Sequence, residues 1–198
     1  MDDFFNKSVN YCMKHEVGPW WDATHPACVL GTVATGADRK ATGYVNDPND
    51  TGGETKFGVA KNANPELNIT KLTWDAAKRV YYKKYWLAGD CADIASFAPK
   101  LAMLHFDGCV NHGNGRAARM LQEAVGATID GDIGPKSLEA IKHACAAPGG
   151  EIAVCEKVAQ IRTSFYNAIV AAKPTQKKFL NGWMNRIREV LVMVKKIR

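Results

Sequence analysis

Gly43-Tyr-Val-Asn-Asp-Pro-Asn-Asp-Thr-Gly-Gly-Glu-Thr-Lys-Phe-Gly58 breaks a chain that elsewhere reads as one helix after another. Pro48 stiffens this stretch and Gly52-Gly53 bends it. The short runs at 44–45 and 57–59 suit strands, giving a small hairpin around a polar loop. On either side, apolar periodicity places helices at 3–16, 73–86, 99–110, 115–125, 135–146, 151–171 and 177–196. Gly126, Pro148-Gly149-Gly150 and Pro174 punctuate them. One hairpin among so many helices predicts an α+β, predominantly helical fold, with a small sheet-bearing lobe against a larger helical lobe and a cleft between them.

The loop also concentrates the chemistry. Phe5, Val9, Cys12 and Glu16 are spaced 4, 3 and 4 apart, so a helix carries them on one face. That face turns toward the core, which places Glu16 where water is scarce. Partial burial disfavours an ionised carboxyl and suits a general acid. The loop supplies Asp47, Asp50 and Thr55. A protonated acid, an ionised acid and a hydroxyl together make a glycosidase-like set.

Composition narrows the partners. The 26 Lys and Arg against 20 Asp and Glu give +6, a balance that favours a polyanion such as nucleic acid, anionic lipid or cell wall. No basic arm or RNA-binding signature supports nucleic acid, and none is expected as a partner. The acidic start Met1-Asp2-Asp3 is unlike a signal peptide, and no apolar run approaches a membrane span. A cytoplasmic protein is expected, with its cysteines reduced. Two pairs, Cys12 with His15 and His25 with Cys28, could together hold a structural zinc; with that exception no cofactor is expected.

The loop resembles glycoside hydrolase family 108, lysozyme-like muramidases common in phage lysis cassettes. The family pattern is Glu-Gly-Gly-Tyr-x-Asn-Asp-Pro-x-Asp-x-Gly-Gly-x-Thr-x-x-Gly. It is matched here by Tyr44, Asn46-Asp47-Pro48, Asp50, Gly52-Gly53, Thr55 and Gly58. Its first half departs, because Pro19 to Thr42 stands between Glu16-Val17-Gly18 and Gly43. The resemblance continues through Tyr81-Tyr82 to Tyr85-Trp86, Phe106-Asp107, and Val110-Asn111. Farther on, Leu121-Gln122, Asp130-Gly131 and Ile133-Gly134-Pro135 resemble the peptidoglycan-binding-like region behind the catalytic half, and Gly182-Trp183 with Asn185-Arg186 its closing helix.

What the resemblance implies is a lysozyme-like fold, with a glycosidase lobe over 1–96 and a helical, peptidoglycan-binding-like lobe over 97–198, packed as one unit. The implied activity is that of a phage endolysin. It would cut the β-1,4 bond between N-acetylmuramic acid and N-acetylglucosamine, accumulating in the host cytoplasm and reaching the wall after release across the inner membrane. Glu16 would be the acid, Asp50 the second carboxylate in preference to Asp47, and Thr55 the group that positions water. Tyr44, Asn46, Asp47, Trp86 and Asn111 would bind substrate. Chitinase-like cleavage, a zinc-dependent peptidase or amidase, and a non-catalytic wall- or membrane-binding protein are the alternatives.

Trp86 also fits a helix stripe packed in the core. His112, beside Asn111, could equally cap its helix. The C-terminal helix shows an apolar face of Phe179, Leu180, Trp183, Ile187, Leu191 and Val194 among many cations, so anionic outer-membrane lipid is a candidate partner beside peptidoglycan. A monomer is expected.

Overall fold

The carboxylate of Asp2 fixes where the first helix begins, by accepting the Phe5 amide at 2.7 Å. In the computed structural model, which describes residues 1–47 and 52–197, α1 runs Asp3–Glu16 and buries Phe5, Val9, Cys12 and Met13. The chain divides into two compact units, Met1–Lys83 and Lys84–Arg198, where the sequence suggested a division after residue 96.

The first unit contains α1, two short helices, a hairpin and α4. Helix α2 (Pro26–Leu30) starts on His25, whose ring nitrogen accepts the Ala27 amide. Helix α3 (Gly36–Thr42) starts on a capping box in which Thr35 and Asp38 satisfy each other's backbone amides. Strands β1 (Thr55–Lys56) and β2 (Val59–Ala60) pair antiparallel, Thr55 opposite Ala60 and Lys56 opposite Val59. Phe57 and Gly58 link them, both at positive φ (52° and 72°), as a two-residue primed turn requires. Of the expected strand at 57–59, Phe57 and Gly58 form the turn and Val59 opens β2, while Val45 joins the sheet as an isolated bridge to Thr55. Helix α4 (Trp74–Tyr81) is capped by Thr73 and passes into a π-helical stretch, Tyr82–Leu87.

The second unit is helical: α5 (Cys91–Ala95), α6 (Pro99–His112), α7 (Asn114–Val125), α8 (Pro135–Ala146), α9 (Gly150–Ala172) and α10 (Lys177–Lys196). Its centre is α6, buried without a break from Leu101 to Cys109. Glu151 of α9 caps α6 by accepting the amides of Lys100 and Leu101 at 3.0 and 3.3 Å. Asp107 is fully buried on α6, bonded to Arg162 of α9 at 2.8 Å and to Arg186 of α10 at 2.9 Å. Gln122 organises the turn before α8. Its amide donates to Asp130, the Asp132 carbonyl and Ser137, and its oxygen accepts the Gly131 amide.

The apolar face of α10 is used inside this unit. Trp183 stacks on Tyr166 at 4.7 Å, Ile187 packs beside Ala159, and Val190 and Val194 are fully buried. Only Phe179 of the expected stripe remains exposed among these residues. No described helix is long and apolar enough to cross a membrane. The mostly helical α+β fold read from the sequence is the fold observed.

Candidate active site

Glu16 is the last residue of α1, and the hairpin turn lies against it. A Cβ built on Gly58 would sit 3.4 Å from Glu16 Cβ, 3.5 Å from its Oε2 and 2.5 Å from the Tyr81 hydroxyl. That hydroxyl donates to the Phe57 carbonyl at 2.9 Å and so ties the turn to α4. Gly58 is thus required twice, for its left-handed φ and for the space that the acid and the phenol occupy. Tyr81 enters the sequence reading within the family-like motif, and nothing in its local sequence marks it as the anchor of the turn.

The stripe that contains Glu16 behaves differently at its end from the rest. Phe5, Val9 and Cys12 are fully buried, but Glu16 is exposed. This corrects the sequence reading: the direction of the stripe holds, but the core stops beneath the last turn, where the chain leaves through Val17 and Gly18. The water-poor setting expected for the acid is absent in the free protein.

The insertion returns to its starting point. A Cβ on Gly43 would lie 3.2 Å from both methyls of Val17 and 3.3 Å from its Cα, so Gly43 resumes the chain beside the residue after Glu16. In between, Trp21 packs edge-on against Phe57 at 6.0 Å and Trp74 at 4.7 Å. The insertion therefore supports the turn that touches Glu16. Trp20 is 65% exposed on the same segment.

Among the loop residues, Thr55 lies in β1, its hydroxyl donating to the Gly53 carbonyl at 3.1 Å. Tyr44 donates to Glu54 at 2.8 Å, and Thr70 donates to the same carboxylate oxygen. Burial first, and then the bond to Glu54, raises the Tyr44 pKa. Glu54, a second acid in this loop, is thereby engaged in holding it. Lys56 is buried, donates to the Thr70 carbonyl at 3.1 Å, and has its pKa lowered by that burial. Asn46 and Asp47 are exposed. Asp50 falls outside the described residues.

The first unit thus brings together Glu16, Tyr44 and Thr55 through the hairpin and its turn; Trp86 and Asn111 belong to the second. Trp86 lies in the π-helical stretch and is fully buried, edge-on to Phe106 at 5.6 Å. It is a core residue, and its expected role as a sugar platform does not hold. Asn111 donates to the Tyr166 hydroxyl and links α6 to α9. His112 packs against Phe165 and Tyr166, and burial, aided by Arg162, lowers its pKa to about 4.

The zinc set suggested by Cys12, His15, His25 and Cys28 does not converge. His25 caps α2, Cys28 donates to the carbonyls of Asp22 and Ala41, and His15 bonds Tyr11. The Cys/His/Asp/Glu group that does converge among the described residues is elsewhere, at Cys91, His105 and Cys109.

Comparison with known proteins gives two family matches. Residues 39–113 match the family model described as Glycosyl hydrolase 108, and residues 116–188 match one described as Predicted Peptidoglycan domain. The first match begins at Arg39, after Glu16 and most of the insertion. No curated protein matches the chain. A solved structure of SagA from Brucella abortus is similar in fold, with a TM-score of 0.60 and 24% identity, covering 76% of this chain and 84% of that one.

Proposed function

We propose that this chain, whose residues 39–113 match the Glycosyl hydrolase 108 family model, cleaves the β-1,4 bond between N-acetylmuramic acid and N-acetylglucosamine. That it works on peptidoglycan follows from the domain over 116–188; the bond and the residues are our reading. The observation that carries it is the contact of Glu16 with the Phe57-Gly58 turn, and of Val17 with Gly43. Together they support reading the family pattern across the insertion, with an exposed acid beside the turn that follows Thr55.

In this reading Glu16 protonates the leaving glycosidic oxygen. Asp50 stabilises positive charge at the anomeric carbon or activates a water, and Thr55 positions that water. Because Glu16 is open to solvent in the free protein, the glycan itself has to cover it, excluding water as it binds. Tyr44, Asn46 and Asp47 line the same loop and would contact the sugar. Lysis of a host as a phage endolysin is the biological role that fits this activity. A role in anionic lipid binding has less support, since the apolar face of α10 is packed within its own unit.

The test is digestion of purified peptidoglycan followed by mass spectrometry of the products and a reducing-end assay. Reducing-end muramic acid is expected; products ending in reducing N-acetylglucosamine, or freed peptide stems alone, would reject the reading. Glu16→Gln keeps size and most hydrogen bonding but removes the transferable proton. It should fold, bind wall and lose about 10²–10⁴-fold in turnover. Near-normal cleavage by folded Glu16→Gln would remove Glu16 from the mechanism.

A further inference from the structure

Three ligand-type side chains meet in the interior of the second unit. Cys91 Sγ, His105 Nε2 and Cys109 Sγ all lie within 4.8 Å of one another, and all three residues are buried. His105 and Cys109 stand one turn apart on α6, and Cys91 opens α5. His105 Nε2 is 3.6 Å from Cys109 Sγ and 3.0 Å from the Gly89 carbonyl oxygen, which is itself 3.6 Å from Cys91 Sγ.

We propose that Cys91, His105 and Cys109, with the Gly89 carbonyl as fourth donor, hold a structural zinc ion that fastens α5 to α6. Zinc sits about 2.3 Å from thiolate sulfur and about 2.0–2.2 Å from imidazole nitrogen or oxygen, in tetrahedral array. Those bonds place neighbouring donor atoms about 3.4–3.8 Å apart. The Cys109 sulfur–His105 nitrogen and Cys91 sulfur–Gly89 oxygen separations already have that value, the nitrogen–oxygen edge must open by a few tenths of an ångström, and the three side-chain donors lie within 4.8 Å of one another. Two thiolates neutralise a divalent ion, so the filled site buries no net charge, whereas an unpaired buried ion would be costly. A mixed sulfur and nitrogen donor set selects a borderline-soft cation over magnesium or calcium.

The backbone around the site is shaped to admit it. A Cβ on Gly89 would fall 2.7 Å from Cys109 Sγ and 2.4 Å from the Tyr85 carbonyl oxygen, so only glycine lets the main chain come this close to the sulfur. The next residue, Asp90, takes a left-handed φ of 57°. This conformation is strained for a side-chain-bearing residue. With no path to solvent, the set suits a structural metal and not a catalytic one.

The test uses the full chain, purified without chelator and dialysed against zinc before metal analysis. About one zinc per chain is expected, lost at least tenfold in Cys91→Ser and in Cys109→Ser, and retained in Cys28→Ser. Cobalt loaded into the wild-type chain should show tetrahedral visible bands and thiolate charge-transfer absorption. This arm stays decisive if the serine variants fail to fold. Wild-type protein that takes up neither ion overturns the proposal. So does a Cys91–Cys109 disulfide, seen as protection of both from alkylation in denaturant until reductant is added.

Discussion

Asp107 gives the sharpest test of what holds the helical unit together. Its carboxylate is 0% exposed, against 1% for the Arg162 side chain and 11% for Arg186. Each oxygen takes a different guanidinium, Arg162 Nη2 on Oδ2 and Arg186 Nε on Oδ1. In Asp107→Asn, one of these guanidiniums must face an amide NH₂, donor against donor, while both lose their counter-charge. Removing one partner of a buried pair costs about 3–5 kcal/mol, and the loss of two pairs points to the upper end. For a chain of this size each kcal/mol moves Tm by about 2–4 °C, so a drop of roughly 6–20 °C is expected by calorimetry or circular dichroism.

The pH dependence follows from the same geometry. Burial pushes the Asp107 carboxyl up, but Arg162 and Arg186 pull it further down, and the net folded pKa lies below the ordinary value. A depressed carboxyl contributes stability that is complete above its unfolded pKa, about 3.9, and is lost as pH falls through the folded value. The gap between wild type and Asp107→Asn should therefore stay constant from about pH 5 to 8 and close only in stronger acid. Replacing all three residues by apolar ones of similar volume should recover much of the loss, because no charge then remains to be compensated. An Asp107→Asn variant within about 1 kcal/mol of wild type at pH 7 would refute this account.

Gly58→Ala should combine two costs, about 1–2 kcal/mol for a left-handed alanine and about 1–3 kcal/mol if the Tyr81 hydroxyl leaves the Phe57 carbonyl, and should also displace Glu16. Urea denaturation and turnover should both fall, whereas Tyr81→Phe should show the smaller stability loss alone. Trp21→Ala should destabilise the first unit by about 1–3 kcal/mol and lower turnover, as it removes the support of the turn through Phe57 and Trp74; normal protease resistance of residues 19–42 would count against this. Glu54→Gln keeps an acceptor for Tyr44 and Thr70, so it should lose about 0.5–1.5 kcal/mol and at most a few-fold in turnover; a loss as deep as that of Glu16→Gln would make Glu54 the acid.

Where the sequence could be read, it was because the signal was local. The stripe Phe5-Val9-Cys12 and the long helices from α6 to α10 have enough turns for their periodicity to stand out. Helices α2 and α3 span five and seven residues, too few for a period, and the Thr35–Asp38 capping box that starts α3 went unread. Trp86 already fitted a core stripe, whereas the π-helical stretch Tyr82–Leu87 inside the helix read at 73–86 leaves no mark in that periodicity. Asp107 looked like one more motif residue because its partners stand 55 and 79 positions away. Likewise His105 and Cys109 share a helix face, but the residue that completes their cluster comes from another helix. Exposure of Glu16 was hidden for a different reason, since periodicity gives the direction of a face and not the point where the core beneath it ends.

The insertion shows why a loop chemistry can survive a large change in sequence. Closing a loop the length of Pro19 to Thr42 costs about 3 kcal/mol by the logarithmic rule, and doubling it would add only about 0.6 kcal/mol. Burial of Ala27, Cys28 and Ala41, with the contacts of Trp21 on Phe57 and Trp74, can offset a cost of that size. Because Gly43 resumes beside Val17, nothing on either side has to move, and Glu16 keeps its place against Gly58. One residue added inside β1 would have the opposite outcome. It would slip the pairing of Thr55 with Ala60 and turn the side chains on one side of the added residue to the opposite face of the sheet. The joint between Val17 and Gly43 is therefore a position where length is nearly free, whereas the hairpin beside it tolerates none.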